Sequence, residues 1–373
     1  MEFEGTVSVR GRRVYLVGLD LPATPAGVAE EHLAELAALA ASAGAKVVGR
    51  FLQKRRAPHP ATLIGPGKAE WLAEAVKPLN VDVILFDDDL AAGQVRELEK
   101  RIERPVLDRS GLILEIFSQR AQTSEARTQV ELARLEYLLP RLTRRWGHLS
   151  RQAGGIGQRG GEGEKQLEAD RRMLRRRISQ LKKRLSKIEK SRVVQRRSRR
   201  QVPTIALAGY TNAGKSTLFN RLTGADVVAQ DRLFATLDSK LRRGALAPGV
   251  AVVFADTVGF IRKLPHDLVA SFRSTLGEVV ESDLVLHVVD ASHPQAEEQF
   301  KVAEAVLTDL GVPIEQRVLV CNKMDREGAN CLTIDNGERA GVAVSAVTGQ
   351  GVDELKAVIA DQLGIALPAV VSG

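Results

Sequence analysis

The 373-residue sequence predicts an α/β protein in three parts: a small N-terminal domain with a parallel sheet, a long antiparallel helical hairpin, and a larger domain on a doubly wound, mostly parallel sheet. Three observations predict it. Short apolar runs alternate with helical segments from residue 12 to 107 and again from 201 onward, the pattern of parallel strands joined by helical crossovers. Between these stretches the strands stop, and leucines recur at three- and four-residue intervals in two segments, as in helices that share a seam. Finally, an apolar run at 204–208 leads into Gly209-Tyr210-Thr211-Asn212-Ala213-Gly214-Lys215-Ser216 and then a helical segment, the order strand, glycine-rich turn, helix of a P-loop domain. The expected boundaries are 1–121, 122–200 and 201–365, with a short tail at 366–373.

In the first domain, 14–19, 45–51 and 81–86 read as strands and 105–107 as a fourth candidate. Residues 27–43, 67–76 and 91–102 read as helices, the first with Leu33, Leu36, Leu39 and Ala40 at helical spacing. Ile64-Gly65-Pro66-Gly67-Lys68 looks like a phosphate turn but lacks the second half of any nucleotide fingerprint. Asp87-Asp88-Asp89, just after a strand, reads as a solvated helix cap or as a metal site.

Residues 122–142 carry Leu132, Leu135, Leu139 and Leu142, and 164–191 carry Leu167, Leu174, Ile178, Leu181, Leu185 and Ile188, so the two helices are expected to fold back on each other. Between them, 147–163 holds seven glycines, with Arg144, Arg145, Trp146, His148, Arg151 and Arg159 in or beside it. A plain linker accounts for the glycines, whereas the interleaved Arg, Trp and His suit phosphate contact and base stacking. The net charge of +8 is local: residues 171–200 contain 15 Lys and Arg against one acid, Glu189, leaving the rest of the chain at −6. So one-sided a block points to a polyanion, nucleic acid first and anionic lipid second. Arg175, Arg176, Arg177, Lys182, Lys183 and Arg184 join Arg144, Arg145, Arg151 and Arg159 as candidate RNA contacts.

The pattern G-x-x-x-x-G-K-[ST] lets backbone N–H groups converge on phosphate oxygens at a helix N-terminus. Lys215 should reach the β- and γ-phosphates and Ser216 should hold Mg²⁺, with Thr217 beside them at the nucleotide. Asp256-Thr257-Val258-Gly259 closes the apolar run 250–255, where Asp256 approaches Mg²⁺ and the Gly259 N–H meets the γ-phosphate; Thr236 lies where a switch threonine completes the metal shell. Lys215, Thr236 and Gly259 are therefore the catalytic candidates. Asn322-Lys323-Met324-Asp325 closes 317–321, and the Asp325 carboxylate accepts from both guanine N1–H and the exocyclic amine, which argues for GTP and GDP over ATP. Ser345-Ala346, after 341–344, fits the loop that supports the guanine oxygen. Further strands are expected at 241–246, 284–289 and 342–344, one of them antiparallel, and helices at 215–223, 268–281, 295–310 and 352–363. Asn212 either helps coordinate K⁺ beside the phosphates or only shapes the turn. Phe260 stands where many such enzymes place a water-orienting glutamine, so the isolated protein is expected to hydrolyse GTP slowly and to need a partner.

Apolar residues make up 44% and charged residues 27%, the composition of a soluble globular chain. Two cysteines, Cys321 and Cys331, are too few for a disulfide framework and point to a reducing compartment. With no signal-peptide pattern at the start and no apolar run of membrane-spanning length, a cytosolic, monomeric protein without integral membrane association is expected.

From about Val14 to Gly364 the chain resembles the HflX family of ribosome-associated GTPases. Beyond the GTPase motifs, the resemblance rests on the run 62–68, on 108–117 (DRSGLILEIF), on 129–142, and on Gly161-Glu162-Gly163-Glu164 with Gln166-Leu167-Glu168 and Asp170-Arg171-Arg172. It implies an N-terminal HflX domain with its hairpin, binding to the large ribosomal subunit and its RNA, and a hairpin loop reaching toward the peptidyl-transferase centre. It also implies dissociation of ribosomes, stalled ones included, in recovery from stress. Ten residues follow Leu363, where some members carry a further domain. The alternative from the residues alone is an NTP-driven remodeller of free RNA, or an RNA-binding module with incidental hydrolysis.

Overall fold

Runs such as Val83-Ile84-Leu85-Phe86 cannot alternate inward and outward, so a sheet made of them has to be covered on both faces. The computed structural model describes residues 8–142, 162–197, 202–225, 233–234, 236–263, 276–334 and 339–368. They divide into two units, one of 1–119, 127–186 and 265–271, the other of 120–126, 187–264 and 272–373. In the first, β1 (Arg13–Asp20), β2 (Lys46–Lys54), β3 (Val83–Phe86) and β4 (Val106–Asp108) form a wholly parallel sheet in the order β2-β1-β3-β4. Its crossovers are α1 (Val28–Ser42), α2 (Pro66–Val76) and α3 (Ala92–Ile102), and α4 (Arg109–Arg120) follows β4. Leu72, Val76, Leu98 and Ile102 of α2 and α3 pack with Tyr15, Val17, Ile84 and Phe86. Leu33 of α1 lies against Gly18 on the opposite face, where a Cβ would be 3.1 Å from its Cγ.

Two ambiguous stretches acquire structural roles here. The glycine-rich turn before Lys68 is a helix start, with Gly65 at φ 94° as the N-cap of α2, Pro66 in the first turn, and the Arg55 guanidinium donating to Ile64 O at 3.0 Å. In the aspartate triplet, Asp87 is buried and paired at 2.6 Å with the buried Arg109, the exposed Asp89 accepts from Ser110 Oγ, and no cluster of three or more His, Cys, Asp or Glu side chains able to hold a metal occurs among the described residues. Glu35 is the second carboxylate on Arg109, so the buried guanidinium is matched by charge. Helix α4 was not read from the sequence because its core residues, 109–114, are all buried and show no polar face.

Helix α5 (Ser124–Leu138) and the 36-residue α6 (Glu162–Arg197) form the expected hairpin. Leu132, Leu135 and Leu142 pack against Leu174 and Leu181, with Leu139, Leu167, Ile178 and Leu185 alongside. Asp108, at the end of β4, accepts from Tyr137 Oη and from Arg141 Nη2, both at 2.8 Å, which ties the base of the hairpin to the sheet. The glycine-rich loop with Arg144, Arg145, Arg151 and Arg159 lies outside the described residues, as does most of the helix expected at 268–281.

The second unit contains β5 (Thr204–Gly209), α7 (Lys215–Thr223), β6 (Lys240–Ala247), β7 (Val250–Asp256), α8 (Gly277–Val280), β8 (Leu284–Asp290), α9 (Ala296–Asp309) and β9 (Arg317–Asn322). A hairpin of β10 (Thr333–Ile334) and β11 (Arg339–Ala340), which the sequence did not reveal, precedes β12 (Val342–Ala343) and α10 (Val352–Gln362). The main sheet runs β12-β9-β8-β5-β7-β6, parallel except for β6. Ile205, Leu207, Phe219, Phe254, Leu286 and Val320 centre its core. Cys321 and Cys331 are paired as a disulfide, with Cα atoms 5.3 Å apart. Among the described residues no helix is long and apolar enough to cross a membrane.

Candidate nucleotide-binding site

Strand β5 delivers the chain to Gly209, and no other residue fits there. Its φ is 141°, and a Cβ would lie 2.1 Å from Val288 O. Gly214, at φ 90°, is under the same constraint from Asn322 Nδ2, 2.3 Å from a Cβ. Asn212 between them also has positive φ, 63°, and Thr217 lies in the first turn of α7. The loop thus ends at a helix N-terminus whose first N–H groups have no partner within the helix.

Lys215 is buried, and its Nζ donates to Gly209 O at 3.1 Å and Tyr210 O at 2.7 Å. Burial is the main influence on it and pulls its pKa down to about 8, with Asp256 opposing and Lys323 assisting. Ser216, Thr236 and Asp256, from three separate parts of the sequence, meet as predicted: Ser216 Oγ lies 2.7 Å from Asp256 Oδ2 and 2.9 Å from Thr236 Oγ1, which in turn donates to Asp256 Oδ2 at 3.0 Å. The other carboxylate oxygen, Asp256 Oδ1, is buried with no hydrogen-bond partner among the described residues. Burial raises the Asp256 carboxyl above its usual value, against the Ser216 hydrogen bond and the Lys215 charge. A buried carboxylate with one orphaned oxygen beside two hydroxyls is the all-oxygen donor set that suits Mg²⁺.

Gly259 stands against the loop, where a Cβ would be 2.7 Å from Thr211 Cα and 3.0 Å from Lys215 Nζ, so the chain passes the phosphate end at backbone distance. Phe260 then forms a bridge with Tyr210: its N–H donates to Gly209 O at 3.0 Å and its carbonyl accepts from Thr211 N at 2.7 Å. The Phe260 side chain is buried, so no side chain at this position orients water. Phe234 N donates to Thr211 Oγ1 at 3.0 Å.

The residues expected to read the base converge from the ends of β8 and β9 and the loop after β12. Asn322 Nδ2 donates to Ala213 O at 2.9 Å and its Oδ1 accepts from Ala346 N at 3.1 Å, which joins the phosphate loop to both base loops. Ser345 Oγ donates to Asp325 Oδ1 at 2.6 Å and so orients that carboxylate. Two residues here were missed by the sequence reading. Asp290 holds Lys323 Nζ at 2.6 Å; burial pushes its carboxyl up, but Lys323 and Ser292 outweigh this and keep it below its usual value. Arg221 Nε donates to Ala346 O at 3.1 Å. The position of Asp290 at a strand's C-terminal end was the available signal.

Of the candidate RNA contacts within the described residues, Arg175, Arg176, Lys183 and Arg184 are exposed on α6. Arg177 and Lys182 instead face α5, bonding Glu131 and Glu136 at 2.8 Å, so they carry part of the hairpin seam.

Three family descriptions match the chain: "GTP-binding GTPase N-terminal" over residues 30–118, "GTP-binding GTPase Middle Region" over 120–199 and "50S ribosome-binding GTPase" over 204–323. The chain is 48% identical to GTPase HflX of Escherichia coli (strain K12) over 338 residues, 89% of this chain and 79% of that one. It is 46% identical to GTPase HflX of Caldanaerobacter subterraneus over 336 residues, 90% of this chain and 77% of that one. A crystal structure of SsGBP with GDP shares the fold, with a TM-score of 0.51 at 23% identity over 95% of this chain and 100% of that one. Identity near one-half over nine-tenths of the chain, with the phosphate, metal and base motifs assembled at the strand ends, places this protein in the HflX family of GTPases, enzymes that bind and hydrolyse GTP.

Proposed function

We propose that this GTPase acts on the large ribosomal subunit in the cytoplasm, as a monomer, and uses GTP to favour a bound state that dissociates ribosomes. The observation that carries the reading is α6, whose exposed Arg175, Arg176, Lys183 and Arg184 continue a block of 15 basic residues and one acid in a chain otherwise acidic. Such a surface fits phosphate-rich ribosomal RNA, with Arg144, Arg145, Arg151 and Arg159 of the glycine-rich loop adding contacts. The match to a family described as "50S ribosome-binding GTPase" supports it.

At the nucleotide, Lys215 holds the β- and γ-phosphates, the Gly259 N–H meets the γ-phosphate, and Asp325, oriented by Ser345, accepts from guanine. Ser216, Thr236 and Asp256 would hold Mg²⁺, whose charge would offset that of the phosphates. Asn212, at φ 63° in the loop, would either offer its side-chain oxygen to K⁺ beside the phosphates or only shape the turn. Two residues beyond Thr236, Asp238 accepts from the N–H groups of Gln122 (3.0 Å) and Thr123 (3.3 Å) and from Thr123 Oγ1, capping the first turn of α5. Ordering of Thr236 by nucleotide therefore reaches the start of the hairpin. With Phe260 buried, water positioning falls to a partner, and hydrolysis serves mainly for release.

The test is GTP turnover with and without purified large subunits, with naked ribosomal RNA as a second addition and Lys215→Ala as the contamination control. Strong stimulation by subunits alone is expected. Fast turnover without ribosomes, or equal stimulation by free RNA, would sink the reading.

A further inference from the structure

The sulfur pair beside the base-reading loop has no part in the nucleotide chemistry above. Cys321 is the penultimate residue of the buried strand β9, directly before Asn322, and its side chain is fully buried, whereas Cys331 is partly exposed. Their Cα separation of 5.3 Å is one that a disulfide spans without backbone movement. The surroundings accommodate both redox states. Leu332 N lies 3.2 Å from Cys321 Sγ and donates to it, and Gly341 O, 3.2 Å from Cys331 Sγ, is an acceptor for a thiol proton. Gly341 makes room for the pair, since a Cβ there would sit 2.6 Å from Cys321 Sγ and 3.0 Å from Cys331 Sγ.

The bracketed segment, 322–330, contains Asn322, Lys323 and Asp325. Its base is held by two backbone hydrogen bonds to one residue: Ala291 N donates to Asn322 O at 2.9 Å, and Asn330 N donates to Ala291 O at 3.0 Å. A bond between residues 321 and 331 adds a covalent closure one residue outside this clasp. Loops that must open to release a ligand are held by such small local free energies, so a tether at the base acts on the rate of release.

We propose that Cys321 and Cys331 are a peroxide-responsive dithiol–disulfide site that closes the guanine-reading segment and slows nucleotide release. The partly exposed Cys331 sulfur, as its thiolate, attacks one oxygen of hydrogen peroxide, the O–O bond breaks, the sulfur becomes a sulfenic acid, and the departing hydroxide takes up the proton the thiol gave up and leaves as water. Cys321 sulfur then attacks Cys331 sulfur, the S–O bond breaks, and the Cys321 proton leaves with hydroxide as a second water. The two thiols lose two electrons in all and the peroxide gains them. A small dithiol reverses the step by exchange.

The test uses the full chain loaded with methylanthraniloyl-GDP, whose release is followed after excess GDP in the reduced state, after hydrogen peroxide, and after subsequent dithiothreitol. The two forms differ at the guanine site alone, so the result is independent of the ribosome reading. Peroxide should remove both thiols with a mass loss of two hydrogens and slow release by about threefold or more, and dithiothreitol should restore the rate. Cys331→Ser, with Cys331→Ala as a second variant should the first fold poorly, should show no slowing. Free thiols that persist under peroxide, a disulfide that leaves the release rate unchanged, or equal slowing in the Cys331 variants through oxidation of Met324 would each overturn the proposal.

Discussion

At the residue scale, Lys215 shows how a buried charge depends on its ligand. Burial holds its pKa at about 8, whereas phosphates beside it would favour the ammonium form. Below that pH the lysine is charged with or without nucleotide and binding takes up no proton. Above it, binding must protonate the lysine, so GTP affinity should fall with rising pH by up to about tenfold per unit. Calorimetry in buffers of different ionisation enthalpy reads the proton uptake directly; a flat profile from pH 7 to 9 would refute this. Asp325 is the second case, because a carboxylate oriented by Ser345 would accept two guanine donors, neither of which adenine offers. Asp325→Asn should weaken GTP binding by at least about a hundredfold while accepting xanthine nucleotides, measured by competition against labelled GDP. Both residues could be singled out in the sequence because each stands in a short motif. Asp290 was not, since a lone strand-end aspartate gains meaning only when Lys323 is found 2.6 Å away.

At the element scale, the hairpin separates two kinds of basic residue that a charge count merges. Arg177 and Lys182 pair with Glu131 and Glu136 across the seam, and the side chains of Arg175, Arg176, Lys183 and Arg184 are exposed. Changing the outward four to glutamine should lower the slope of log affinity against log salt for ribosomal RNA or subunits by about one for each phosphate no longer neutralised. Changing Arg177 and Lys182 should mainly loosen the hairpin, by no more than ~1 kcal/mol for such partly exposed pairs. Filter binding across a salt series, with thermal unfolding alongside, distinguishes the two groups; equal slopes for both would show that the assignment is wrong. The leucine seam was readable because helical spacing repeats over many turns. Helix α4 and the β10–β11 hairpin were not, one because its first six residues are all buried and the other because each strand has two residues.

At the scale of the whole molecule, the proposal makes GTP the signal for a bound state and hydrolysis the means of leaving it. A non-hydrolysable GTP analogue should therefore support one round of ribosome splitting without release, read by light scattering and cosedimentation. Repeated turnover with the analogue would contradict this. Two units built on different sheets serve this scheme, one carrying the hairpin and the other the nucleotide site.

The sequence by itself determined the fold class, most of the strands of the GTPase-domain sheet, and which motif residues the strand ends would bring together. These depend on periodicity and on short spacings, which are local properties of the chain. Only the tertiary structure decided which charges are neutralised internally, such as Arg109 by Asp87 and Glu35, and which face outward. It alone revealed that Cys321 and Cys331 meet, that Asp238 caps the start of α5, and that one oxygen of Asp256 has no partner among the described residues. The physical reason is that a side chain's charge state and reactivity are set by what packs against it, and those neighbours come from distant parts of the chain.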